Sequence, residues 1–313
     1  MPKNKGEEEG RASVQYSLFF IQRFKGKVLF NVPMDQHTSL RVGGPADVMA
    51  FPQDIGDLRD LLAFAEAKGF PFFILGAGTN LLVRDGGYRG IVINMCEGFK
   101  DIVEQEDSKA VMGAGVRLVE ALAMCAEKGL SGFEFAAGIP GTMGGAVAMN
   151  AGAFGSEMKD IVEGVEVIGR KGKLGFIPRD EMGFSYRSSE LPKGAIVVRV
   201  YLKLTPADPQ EIKERIKFFR ERRRSISNVT FPNAGSMFKN PPDNFAGKLI
   251  DEAGLKGERS GAAQVSEAHA NYIVNLGGAR AKDILSLMAA VRDRVYSRTG
   301  VVLEHEIKVI GED

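Results

Sequence analysis

The chain has 313 residues, with 41 Lys and Arg against 40 Asp and Glu, for a formal net charge of +1. That balance excludes a surface devoted to a long polyanion, and 44% hydrophobic with 26% charged residues excludes wholesale disorder. Two cysteines are too few for a disulfide scaffold, and the excess lies in glycine, at 38 residues, where an average composition gives about 7%.

The opening MPKNKGEEEG reads as a polar tail without a secretory signal. ADVMAFP (46–52) predicts a strand, and Leu58, Leu61, Leu62 and Ala65 predict a helix over 55–68, stopped by Gly69. FFIL (72–75) and GIVINM (90–95) predict strands. AVM-GAG-VRLVEALAMCAEKG predicts a strand, a turn and a helix closed by Gly129. The 27 residues from Gly129 to Gly155 hold eight glycines and predict no periodic element. The longest uncharged run, 135–156, carries six glycines and a proline, which fits a buried loop better than a membrane span and points to a cytoplasmic protein.

Strands are expected at 161–168 and 196–204, the second alternating Val198, Val200, Leu202 and Leu204 with polar residues. Asp208, Pro209 and Glu211 predict a capping box at the start of a helix. Helices follow at 245–253 and 281–297, with strands at 271–276 and 301–310. The fold class is α+β. The expected division is residues 1–98 and 99–206 as two Gly-rich subdomains, 207–300 as a smaller α/β domain and 301–313 as a terminal strand. The first 30 residues are read as partly disordered.

GAGTNL (76–81) follows a strand but lacks the third glycine of a dinucleotide fingerprint, and GAGVRL (113–118) fails alike. A tight turn and a phosphate-holding nest of N–H groups, with Asn80 adding a side-chain donor, both remain open for 76–81. GIPGTMGGAVAMNAGAFG (138–155) is glycine-dense enough to point to a ligand pressed against main chain. FPNAGSMFKNP (231–241) gathers Asn233, Ser236, Lys239 and Asn240. No G-x-S-x-G surrounds Ser236, and His37, His269 and His305 have no metal-ligand spacing. The basic run Lys217, Arg220, Arg222, Arg223 and Arg224 reads as a solvated helix end or a contact to ligand phosphates. Glu304 and Glu306 are expected on one face of the terminal strand and His305 on the other.

Taken together, these motifs resemble those of the UDP-N-acetylenolpyruvoylglucosamine reductases, or UDP-N-acetylmuramate dehydrogenases. The segments that carry the resemblance are HTSLRVGGPAD (37–47), GAGTNLLVRDGG (76–87), GFEFAAGIPGTMGGAVAMNAGAFG (132–155), YRSS (186–189), PNAGSMFKNP (232–241), AGLKGERSGAAQVSEAHANYIVN (253–275) and LEHEIKVIG (303–311). The resemblance implies a two-subdomain FAD-binding fold of the vanillyl-alcohol-oxidase type with a C-terminal α/β substrate domain. It implies non-covalent FAD, NADPH as reductant and UDP-N-acetylglucosamine enolpyruvate as substrate, with no metal, nucleic acid or membrane partner. The activity implied is reduction of the enolpyruvyl ether to UDP-N-acetylmuramate for peptidoglycan. The rivals are another FAD-dependent oxidoreductase of the same fold and a non-catalytic nucleotide-binding module.

By motif, the resemblance assigns Arg41, Gly76, Ala77, Gly78, Thr79, Asn80, Leu81, Ile139, Pro140, Gly141, Thr142, Gly145, Asn150 and Gly152 to the cofactor. It makes Arg187 the catalytic arginine, Ser236 the proton donor and Glu306 the catalytic glutamate, with Tyr186, Lys239 and Asn240 on the substrate side. The short stretch between Tyr186 and Tyr201 matches the type without an extra loop tyrosine. Hydride addition to an enol ether builds negative charge beside a carboxylate, so Arg187 supplies a cation and a planar fork. A second anion at Glu306 would oppose that charge, so Glu306 is expected protonated. Lys239 or water is expected to reprotonate Ser236. A bulky residue at Gly78 or Gly145 is expected to cost flavin before it costs fold.

Overall fold

The protein was analysed as a computed structural model, which describes residue 20 and residues 23–169 and 171–313. Apart from Phe20, the expected tail lies outside the described residues up to residue 22, and Lys27–Pro33 is already a strand.

A first sheet runs, in spatial order, Lys27–Pro33, Pro45–Phe51, Tyr88–Asn94 and Phe72–Leu75. Its first pair is antiparallel and the rest are parallel. Ile91, Val92 and Ile93 are all fully buried, as expected of an inner parallel strand covered on both faces. Helix α1 (Ile55–Lys68) begins where the Asp54 carboxylate accepts the Asp57 N–H and ends at Gly69, in the left-handed conformation at φ 68°. Its Leu58, Leu61, Leu62 and Ala65 pack against Val48, Ala50, Ile91 and Ile93.

A second sheet, antiparallel throughout, runs Leu174–Pro178, Val162–Ile168, Ile196–Lys203, Lys109–Gly113 and Ile102–Gln105. The expected alternation holds, with Val198, Val200, Leu202 and Leu204 buried and Arg199, Tyr201 and Lys203 more exposed. Ile196 and Val198 join the cluster around α1, while Val200 and Leu202 belong to the core of the second sheet. One strand thereby ties the two units together. Helix α2 (Leu118–Glu127) buries Leu118, Ala121, Leu122 and Cys125 in that second core.

The run from Gly129 to Gly155 is more ordered than its periodicity suggests. It contains a 3-10 turn, Glu134–Ala136, and a short helix α3, Met143–Ala148, capped where Thr142 Oγ1 accepts the Gly145 N–H at 3.4 Å. Six helical residues are too few to display a 3.6-residue period.

Helix α4 (Pro209–Ile226) starts as expected at Asp208 and Pro209, but the Asp208 carboxylate accepts from Gln210 N–H, with no reciprocal bond from Glu211. The expected boundary at 207 is displaced. Helix α4 packs on α2 and the turn at 134–136, and Arg215 binds Glu134 Oε1 at 3.0 Å. The C-terminal core contains no residue of α4. That core is built from α5 (Ala246–Glu252), α6 (Ala281–Thr299) and a small antiparallel sheet of Arg259–Ser260, Ala263–Val265 and Ile273–Asn275. Helix α6 buries Ile284, Leu287, Met288, Val291 and Val295, the stripe its spacing predicts.

The chain then returns to the first unit. The expected strand at 301–310 shortens to Lys308–Ile310, which pairs in parallel with Leu81–Val83. Among the described residues no helix is long and apolar enough to cross a membrane.

Candidate active site

A cavity of about 650 Å³ opens where the three units meet. Its first wall is main chain. Gly76, Ala77, Gly78, Thr79, Asn80 and Leu81 line it, as do Ile139, Pro140, Gly141, Thr142, Gly145 and Gly152. The two glycine-rich segments touch: Thr79 Oγ1 donates to Pro140 O at 3.1 Å, and a Cβ built on Gly76 would sit 2.5 Å from Thr142 Oγ1. Among the described residues, the N–H groups of Ala77, Gly78 and Thr79 find no acceptor. Successive free N–H groups facing a cavity form a concavity suited to phosphate.

Three arginines of α4 enlarge this anion-seeking surface. Arg220, Arg223 and Arg224 line the cavity, while Arg222 stacks its guanidinium over Phe154. Arg223 donates from Nε to Ala137 O at 3.1 Å, yet its buried Nη2 has no partner. Burial, with the Arg187 charge nearby, pulls its pKa below the usual arginine value. Lys308, which carried no assignment, adds another cation, seated over the Phe73 ring. The lining therefore holds Arg187, Arg220, Arg223, Arg224 and Lys308 and no carboxylate. The positive charge that a net of +1 conceals is gathered here.

The opposite wall is side chain. Arg187 stands at the tip of a two-residue hairpin closed by Ser185 N–H to Ser188 O at 3.0 Å and Ser188 N–H to Ser185 O at 3.2 Å. Its φ is +56°, a conformation that costs a non-glycine residue roughly 1–2 kcal/mol. From there its Nη1 donates to Gly152 O at 3.1 Å, and its Nε lies 2.9 Å from Glu306 Oε1. That second contact is an ion pair without hydrogen-bond alignment, so the buried Nε keeps an unspent proton.

The Glu306 side chain is only 14% exposed. Burial raises its pKa above the usual 4.5, opposed by the charges of Arg187 and Lys239. Its backbone is held twice, by Asn80 Nδ2 donating to Glu306 O at 3.1 Å and by Glu306 N–H donating to Met237 O at 2.9 Å. Ser236 follows an Asx turn, in which Gly235 N–H binds Asn233 Oδ1 at 3.0 Å and Gly235 adopts φ +75°. It stands where the first cavity meets a second, of about 770 Å³, lined by Asn240, Lys248, Lys256 and His269 among others.

Residues 46–175 match the FAD binding domain family, and residues 227–310 match the C-terminal domain of UDP-N-acetylenolpyruvoylglucosamine reductase. The reductase of that name from Geobacter metallireducens is 46% identical over 289 residues, covering 92% of this chain and 96% of the relative. That from Alkaliphilus oremlandii is 44% identical over 287 residues, covering 91% and 94%. The crystal structure of UDP-N-acetylenolpyruvylglucosamine reductase from Thermus caldophilus aligns with a TM-score of 0.77 at 40% identity, over 91% of this chain and 98% of that one. This chain belongs to the UDP-N-acetylenolpyruvoylglucosamine reductase family.

The remaining expected site residues are placed as follows. Arg41 is exposed and does not line the cavity. Asn150 is buried behind the wall with its amide bound to protein. Asn80 lines the cavity and donates its Nδ2 to Glu306 O at 3.1 Å. Tyr186 places its ring against the Arg187 guanidinium at 5.4 Å, outside the lining. Lys239 pairs with the exposed Glu304 at 3.5 Å. Glu304 and Glu306 do not share an exposed acidic edge, because only Glu304 faces water. Asn240 lines the second cavity, where its Oδ1 accepts the Ala246 N–H at 3.0 Å.

Proposed function

We propose that this chain reduces the enolpyruvyl ether of UDP-N-acetylglucosamine to the lactyl ether, giving UDP-N-acetylmuramate for peptidoglycan in the cytoplasm. The observation that carries this reading is that Arg187 and Ser236 line one cavity with glycine-rich main chain and cations, and that Glu306 stands 2.9 Å from the Arg187 guanidinium.

The residues fit FAD. The free N–H groups of 77–79 and the unpartnered Arg223 Nη2 would hold its diphosphate, and Gly141 and Gly145 leave room for it along the second segment. When bound, FAD supplies hydride, drawn from NADPH, for the terminal carbon of the enol ether. Arg187 binds the substrate carboxylate and stabilises the charge that spreads into it. Burial raises the Glu306 pKa, and its protonated form would add no anion to compete with the developing charge. Ser236 gives its hydroxyl proton to the carbanionic carbon. A substrate reacting at Ser236 extends its sugar nucleotide into the second cavity, toward Asn240 and the C-terminal unit.

The test is spectroscopic. Purified protein is expected to show a flavin band near ~450 nm, to bleach with NADPH and to recolour only with the enolpyruvyl sugar nucleotide. Colourless protein that FAD does not reconstitute, or bleached protein that this acceptor leaves bleached, overturns the reading.

A further inference from the structure

Asn150 is fully buried, at φ +39°, a left-handed position that asparagine tolerates better than most residues. Every polar group of its amide is used. Nδ2 donates to Ser185 O at 3.0 Å and to the Glu157 carboxylate, and Oδ1 accepts the Lys159 N–H at 3.0 Å. Ser185 O is also the acceptor that closes the hairpin carrying Arg187. Two further bonds join the same pieces: Ser189 Oγ donates to Ala148 O at 3.2 Å and Arg187 Nη1 to Gly152 O at 3.1 Å.

The segment 148–152 is therefore both a part of the cavity wall and the anchor of the hairpin. Arg187 occupies an unfavourable left-handed conformation at the hairpin tip. A strained residue on a two-residue turn holds its direction only if the turn is fixed from outside, and the Asn150 amide fixes it at Ser185.

We propose that Asn150 is a positioning residue, which aims the Arg187 guanidinium at the substrate carboxylate and at Glu306. The role rests on the function proposed above. It explains the residue type. Aspartate would set a second carboxylate against Glu157, and alanine would meet the left-handed backbone without the amide's bonds.

The test uses FAD-loaded Asn150→Gly, which keeps the backbone conformation and removes the amide. Flavin content and the rate of bleaching by NADPH are expected within threefold of the wild type. Recolouring by the enolpyruvyl sugar nucleotide is expected to slow at least tenfold. The affinity of the oxidised protein for that substrate, measured by calorimetry, is expected to weaken, because its carboxylate loses an aligned partner. In an Arg187→Ala background the same change is expected to cost less than twofold. Recolouring at the native rate overturns the proposal, and so does an equal cost with and without Arg187. Asn150→Asp, which keeps an acceptor for Lys159 N–H, serves if the glycine variant fails to fold. If neither variant retains FAD, Asn150 is a folding residue and the proposal falls. Wild-type protein that does not recolour would instead overturn the proposed function.

Discussion

The wall made by residues 76–81 and 138–152 meets a ligand with main chain, whereas the opposite wall meets it with the side chains of Arg187 and Ser236, with Glu306 paired to Arg187. The first needs absent side chains and particular dihedral angles. The second needs three functional groups brought from the hairpin, the Asx turn and the returning C-terminal segment. Main chain binds phosphate without adding formal charge, which lets a nearly neutral protein hold polyanionic ligands. Side chains supply what main chain lacks: a fixed cation, a hydroxyl proton and an acid whose pKa burial raises.

The sharpest separation of the two walls is Ser236→Ala. It leaves the main-chain wall untouched, so FAD content and bleaching by NADPH are expected to stay native. Recolouring by the sugar nucleotide is expected to fall by about 10²- to 10⁴-fold, the usual worth of a positioned general acid. Stopped-flow measurement of the two half-reactions checks this, and equal slowing of both would dissolve the distinction.

The main-chain wall itself divides. Gly78 adopts φ +66°, and a Cβ there would stand 2.0 Å from His37 O, a backbone atom. Gly145 would bring its Cβ no closer than 3.4 Å to Thr142 Oγ1 and meets nothing else within contact distance. Gly78→Val is therefore expected to cost on the order of 3 kcal/mol of stability. Gly145→Val is expected to cost under about 1 kcal/mol and to lose FAD instead. The expectation that both positions would lose flavin before fold thus survives only for Gly145. Thermal melts alongside flavin content separate the cases, and a Gly78→Val protein that melts like the wild type would break this contrast.

How much of this was legible before the structure follows the same division. Glycine excess at 76–90 and 129–155 marked the main-chain wall, because glycine's use is local and visible in composition. Strongly periodic helices such as α6 were equally plain. The side-chain wall became visible only through the family resemblance, because residues 187, 236 and 306 are joined by tertiary packing and no spacing rule links them. The same limit applies to the direction of individual side chains. Asn150 lies in a ligand-facing segment, but the direction of its side chain is set by Ser185, Glu157 and Lys159. Arg220, Arg223 and Arg224 stayed open between a solvated helix end and a contact to ligand phosphates, because only tertiary packing puts α4 over the cavity rather than on the C-terminal unit.

The smallest expected effect concerns the one side chain of the second wall whose charge burial opposes. The pKa of Glu306 is raised by burial, with Arg187 and Lys239 pulling the other way. The folded protein therefore keeps a proton that the unfolded chain releases near pH 4.5. By linkage, the stability this group contributes is fully present below that value and is lost as the pH rises through the raised one. Glutamine retains the shape of the protonated acid and cannot ionise. Glu306→Gln is thus expected to melt close to the wild type near pH 4.5 and above it at pH 8, as thermal melts across that range would show. If the difference instead shrinks or reverses as the pH rises, the ion pair with Arg187 outweighs burial. Glu306 would then enter the reaction as an anion, and the side-chain wall would have to offset its charge beside the developing carbanion.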